Sequence, residues 1–147
     1  MGKYLNADGA LAFLVRSAWL GMRAAIGAEL KEFGLTTPQY ATLMIVQDHP
    51  GLSNADVGRK VSSSRQSANE MLAGLERDGL IERAPHPADR RTQQIQITED
   101  GRALLRRARI AVARREAELE AGFSPEQRAA ARAWLEGIAK VCAAEES

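Results

Sequence analysis

Apolar residues recur in steps of three and four along most of this chain. From residue 11 to 33 they fall at Leu11, Leu14, Val15, Ala18, Trp19, Met22, Ala25, Ile26, Leu30 and Phe33, the stripe of one long amphipathic helix. "FGLTTP" interrupts it. Thr37 as N-cap with Pro38 as first helical residue predicts a second helix over 38–48, closed by "DHPG". Ser53, with Asp56 three residues on, opens a short third helix to about Lys60. Ser63 with Gln66 then fits a capping box, and Ala68, Met71, Leu72 and Leu75 form an inward stripe that ends at Gly79.

The period then changes from about 3.6 to two. "LIERA" and "TQQIQIT" alternate and are joined by a proline-rich loop, which predicts a β-hairpin. Thr98 caps the next long helix, with Glu99 and Asp100 suiting its positive end, and that helix reaches about Ala121. Ser124-Pro125-Glu126-Gln127 opens the last helix, with Ala130, Trp134, Ile138 and Val141 inward. The fold class is therefore mainly α with a small β-hairpin. Its middle third, a short helix, a turn, a second helix and a hairpin, is the plan of a winged helix-turn-helix.

That plan has a chemical consequence, because its second helix can fill a DNA major groove while the hairpin reaches beside it. With Ala68, Met71, Leu72 and Leu75 inward, the outward residues are Gln66, Asn69, Glu70, Ala73, Gly74 and Arg77; Ser64, Arg65 and Ser67 belong to the first turn. Gln and Asn can pair bidentately with adenine, Arg with guanine, and Ser with bases or phosphates. Ala73 and Gly74 leave the face thin, so that its backbone could approach a groove wall. A solvated amphipathic helix with a packing glycine is the plainer alternative. At the hairpin tip, "PADRR" presents Arg90 and Arg91, long cations able to enter a minor groove or clamp phosphates, while Asp89 can fix an arginine's direction. An ordinary charged turn is the alternative there.

The stretch from "LSNADVGRK" through "ITEDGRALL" resembles the MarR (multiple antibiotic resistance regulator) transcription factors. The resemblance is carried by Leu75-Glu76, Gly79-Leu80-Ile81, Asp89, Arg91, Ile97-Thr98 and Gly101, and "GLTTPQYATLMIV" looks like the family's second helix. Ile97 stands where the family usually has Leu. The resemblance implies a homodimer with recognition helices in successive major grooves of a palindromic double-stranded operator. It divides the chain into an N-terminal dimerisation helix (1–35), a DNA-binding lobe (36–101) and C-terminal dimerisation helices (102–147). By the same resemblance, Asp89 orients Arg91 and Arg91 is the wing-tip contact. Many relatives carry a basic or small polar residue where this chain has Glu70. An acid there either accepts from a cytosine amino group or pairs with a basic neighbour.

Charge sharpens that departure. The chain's net charge is +1, and residues 52–101 hold seven Arg and Lys against eight Asp and Glu. Any grip on DNA must rest on a few placed arginines and on pairing of subunits. A winged-helix module that binds protein rather than DNA is the competing function.

The resemblance also implies repression relieved by a small-molecule inducer, often an aromatic acid, bound between the dimerisation helices and the lobe. Candidate wall residues are Phe13, Arg16, Trp19, Met22, Tyr40 and Met44, with Arg16 and Arg23 about one turn from Trp19 on either side. The competing reading puts Phe13, Trp19 and Met22 on a core stripe. Cys142, the one cysteine, follows Val141 on the last helix and reads as a buried structural thiol, whereas peroxide-sensing relatives place theirs in the first helix. His49 and His86 sit in loops beside proline, so no metal site is expected. There is no glycine-rich phosphate loop and no nucleophile–base pair, so neither an enzyme nor a cofactor is expected. "MGKYLNADGALAFLV" lacks the pattern of a signal peptide, and no apolar run nears the roughly 20 residues that span a bilayer. These features predict a soluble, cytoplasmic protein with no membrane partner.

Overall fold

The structure is a computed structural model that describes residue 6, residues 8–61 and residues 64–146. Its elements are α1 (Leu11–Lys31), α2 (Thr37–Asp48), α3 (Asn54–Val61), α4 (Arg65–Arg77), β1 (Ile81–Pro85), β2 (Gln93–Ile97), α5 (Glu99–Leu119) and α6 (Pro125–Glu145). The order and type of every element follow the apolar periodicity.

Most helix starts are set by side-chain caps. The Ser53 hydroxyl accepts from the Asp56 N–H at 3.1 Å, and the Asp56 carboxylate accepts from the Ser53 N–H and hydroxyl. Thr98 accepts from the Gly101 N–H, and Ser124 with Gln127 forms a reciprocal box. Two expected caps move. The cap of α2 is Thr36 rather than Thr37: Thr36 holds the extended conformation, bonds the Gln39 N–H, and has its own N–H bonded by the Gln39 side chain. That reciprocity is open only to the threonine three residues before the glutamine, and it leaves Pro38 second rather than first in the helix. The cap of α4 is Ser64, and the expected capping residue Ser63 lies outside the described residues.

The helix ends are equally local. Gly79 has φ +74°, and the Leu80 N–H returns to the Leu75 carbonyl while the Gly79 N–H reaches that of Glu76, so a left-handed glycine closes α4. The same arrangement at Gly34 closes α1 at Lys31, two residues before the expected Phe33.

β1 and β2 pair antiparallel with Ile81 opposite Ile97 and Pro85 opposite Gln93. The Ile95 N–H bonds the Leu52 carbonyl and Ser53 bridges Gln94, so the hairpin is stitched to the entrance of α3. One core unites these pieces. Leu43, Val46, Val57, Leu72, Leu75, Ile81, Ile95 and Leu105 are all essentially inaccessible to solvent. Leu30 from α1 and Ala108 and Val112 from α5 close it.

The terminal helices behave differently. Leu30 is the only buried residue of α1, and α6 has none. Trp134, Ile138 and Val141, expected inward, are exposed, as is Ala130. Their stripe is real, but one chain supplies nothing for it to face. Cys142, expected to be buried on a dimer helix, is likewise exposed in the single chain. By length and composition alone α1 could cross a membrane, its best 18-residue window having a mean hydropathy of 1.2, although no such apolar run was expected. Arg16 and Arg23 interrupt that helix, and an arginine at a bilayer centre costs about 2.5–3.5 kcal/mol.

Candidate nucleic-acid interface

α4 buries Ala68, Leu72 and Leu75 against the core and half-buries Met71. The opposite face shows Arg65, Gln66, Asn69, Glu70, Ala73 and Arg77 to solvent, with Gly74 half-buried. At its start, Ser64 and Ser67 are tied together: the Ser64 oxygen accepts from the Ser67 N–H and its hydroxyl donates to the Ser67 oxygen at 2.8 Å. These two serines therefore set the helix start as well as line it. The sequence-chosen residues on α4 thus share one exposed face.

Of the two partners considered for Glu70, a basic neighbour is not found among the described residues. The Glu70 carboxylate accepts from the Gln66 side-chain amide at 3.3 Å, a neutral group one turn back. No described residue pairs with this negative charge at the centre of the face, and Gln66 is held toward it.

The wing tip is built by Asp89. One carboxylate oxygen accepts from the Arg91 N–H at 3.0 Å, the other from the Thr92 hydroxyl at 3.4 Å, and its carbonyl accepts from the Thr92 N–H. His86 closes the loop with its N–H on the Thr92 carbonyl. Asp89 therefore directs Arg91 through the main chain, not by gripping its guanidinium. Arg90 and Arg91 are exposed, and neither forms an ion pair with any described residue.

The structure adds residues that sequence reasoning passed over. Asn54 and Arg59 from α3 line a cleft of about 410 Å³ with Ser64, Arg65 and Asn69 from α4. Arg59 is ion-paired with Asp56. Hydrogen bonds from Ser53, and then the Arg59 guanidinium, hold the Asp56 carboxyl below the usual carboxylate range. The signal for Arg59 was its i,i+3 spacing from Asp56, which had been read only as a cap. The Asn54 side-chain oxygen Oδ1 is buried without a hydrogen-bond partner among the described residues.

The six candidate ligand residues are scattered over two surfaces. Phe13, Arg16, Trp19 and Met22 stand exposed on α1, Tyr40 is buried in the lobe core, and Met44 packs half-buried against that core. A cleft of about 500 Å³ beside α1 is lined instead by Leu20, Arg23, Gly27, Lys31 and the start of α2. Burial pushes the Tyr40 phenol up from its ordinary value, and the Arg109 guanidinium beside it opposes that rise. Arg109 on α5, more than 60 residues away in sequence, was not singled out. Among the described residues no group of three or more His, Cys, Asp or Glu could hold a metal ion.

A helix-turn-helix with a stitched two-stranded wing, an exposed polar helix face and a bare arginine tip defines the winged-helix class of regulators. Residues 33–92 match the profile of the MarR family. The HTH-type transcriptional repressor Rv2887 of Mycobacterium tuberculosis is 32% identical over 122 residues, covering 82% of this chain and 88% of the relative. The structure of that MarR family protein in complex with p-aminosalicylic acid aligns with a TM-score of 0.75 at 29% identity, over 88% of this chain and 98% of that one. The transcriptional repressor CouR bound to a 23-mer DNA duplex aligns with a TM-score of 0.84 at 28% identity, over 93% of this chain and 97% of that one. The chain belongs to the MarR family of transcription regulators.

Proposed function

We propose that this chain acts as a homodimeric, sequence-specific DNA-binding regulator, a repressor released by a small aromatic acid. The observation that carries the DNA part is the shared exposure of Arg65, Asn69, Arg90 and Arg91, with Asp89 spent on holding the tip in shape. Guanidinium forks suit phosphate oxygens and guanine edges, and an asparagine suits adenine. CouR, similar over nearly the whole chain, is seen on a DNA duplex, which supports the same use of this face.

Pairing of subunits is supported by the bare terminal helices. Leu11, Phe13, Leu14, Trp19 and Leu20 on α1, and Trp134, Leu135, Ile138 and Val141 on α6, are at least 40% exposed. Apolar area of this kind on two helices marks a protein contact. With Arg16 and Arg23 in α1, a second subunit is a better cover than lipid. The aromatic-acid signal is supported by the p-aminosalicylic acid complex of the Mycobacterium tuberculosis relative. Such a ligand acts only by favouring one spacing of the two lobes over another. The protein works by binding rather than catalysis, in the cytoplasm where its DNA lies. The balanced charge of residues 52–101 and the lack of an ion pair from Glu70 to any described residue favour a second reading, a module that binds protein through the same lobe.

Selection of bound sites from random duplexes separates the two. A regulator enriches a palindrome with half-sites about one helical turn apart; a protein-binding module enriches nothing. On the selected duplex, Arg91→Ala is expected to weaken binding by about 1–3 kcal/mol at fixed salt. Unchanged affinity there removes Arg91 from the interface.

A further inference from the structure

The first half of α5, within the stretch expected to help pair subunits, carries a feature that the DNA reading does not use. Arg102, Arg106 and Arg109 stand at i, i+4 and i+7, one position round from the buried stripe of Gly101, Leu105, Ala108 and Val112. With Gln47 of α2 and Ile110 they line a cleft of about 450 Å³. A second cleft of about 240 Å³ shares Gln47 and Arg102 and continues to Pro50, Gln96 and Ile97. Neither cleft has an acidic residue in its lining.

Cations so spaced on a helix repel one another, each pair costing a few tenths of a kcal/mol. Their compensation here is thin. Arg109 sits 3.5 Å from the Asp48 carboxylate, Arg102 lies 3.8 Å from a Glu99 side chain that is 98% exposed, and the Arg106 guanidinium has no hydrogen bond or ion pair with any described residue. In a chain of net charge +1, this concave face is strongly positive.

We propose that this groove is a binding site for a small phosphate-bearing anion, with Arg102, Arg106 and Arg109 as its ligands. A single carboxylate offers one charge and two oxygens. A phosphate ester offers up to two charges and three oxygens, and guanidinium forks engage several of these at once. Gln47 and Gln96 supply neutral donors along the groove. Ile110, 65% exposed beside the guanidinia, offers an apolar platform to the body that carries the phosphate. Gln96 and Ile97 belong to the wing strand β2, so an occupant reaching the second cleft touches the wing directly.

The test is titration of the full-length protein with inorganic pyrophosphate, followed by the side-chain amide resonances of Gln47 and Gln96. Sodium chloride at matched ionic strength controls for screening. A saturable shift at both amides is expected, with affinity falling about tenfold in Arg106→Gln, the loss of one charged hydrogen bond. Arg114→Gln, on the same helix but outside the groove, leaves binding unchanged. No saturable shift, or an equal loss in Arg114→Gln, overturns the proposal. So does a third result: no pyrophosphate binding, but a uniform loss of duplex affinity in Arg106→Gln with a salt dependence lower by about one phosphate. The groove would then be a DNA backbone contact. Failure to select any duplex bears on the regulator reading alone and leaves the pyrophosphate titration standing.

Discussion

The DNA-binding lobe and the terminal helices use the same apolar periodicity to opposite ends. In the lobe, Leu72 and Leu75 of α4 meet Leu43, Val57, Ile81 and Leu105 in a core that excludes water completely. On α6, Trp134 is 41% exposed and Val141 57%, and no residue of the helix is buried. The lobe finishes its core within one chain, whereas α1 and α6 present half of one. Folding and association are therefore carried by different residues, and substitutions should separate them.

The sharpest break is expected in the lobe. Leu72→Ala removes a fully buried side chain from the centre of α4, at a cost of about 2–5 kcal/mol. Chemical denaturation should show that loss even at protein concentrations where subunits stay paired. Trp134→Asp should do the reverse. In an isolated chain a half-exposed residue tolerates change within about 0.5 kcal/mol, but at the centre of an interface its loss is worth about 2–4 kcal/mol of association. Sedimentation at several concentrations reads the difference, and an unchanged dimer would place Trp134 outside the contact.

Next in size is Gly101→Ala, at the junction of the two regions. A Cβ at Gly101 would collide with the Leu80 carbonyl oxygen and press on Ile97, and that carbonyl already accepts from the Thr98 N–H. Backbone must move, so a loss of about 1–3 kcal/mol is expected, with the wing displaced relative to α5. A melting temperature equal to that of the parent protein would mean that the junction yields freely.

The smallest effect concerns the entrance of α3. The Ser53 hydrogen bonds and Arg59 stabilise the charged form of Asp56. Its contribution is present above the ordinary carboxyl range and is lost as pH falls through its lowered value, because the unfolded chain takes up the proton first. Asp56→Asn should therefore flatten the acid side of the stability–pH curve and leave its shape near neutrality alone. An identical acid limb in both proteins would count against this coupling.

What could be read in the sequence was whatever neighbours in the chain decide. The caps at Ser53, Thr98 and Ser124 need only a partner three residues on, and the glycine at 79 needs only a helix before it. Even there, the α2 cap was placed on Thr37, one residue beyond Thr36, which the box with Gln39 selects. The exposed face of α4 and the arginine tip of the wing were legible because the buried stripe fixes what must face outward. What periodicity could not tell was whether a stripe faces its own chain or another, which is why α6 was expected inward. Nor could it place Arg109 beside Tyr40, since that proximity depends on how α5 crosses α2. Asp89 was expected to hydrogen-bond an arginine, and the group it bonds is the main-chain N–H of Arg91, a choice made by the tight turn.

The most direct test is sedimentation equilibrium of the purified chain, alone and with the duplex obtained by site selection. Paired subunits predict a mass twice the 16.0 kDa of one chain at micromolar concentration, and one such pair on each palindrome. A particle of 16.0 kDa that leaves every duplex unshifted at low salt would contradict it.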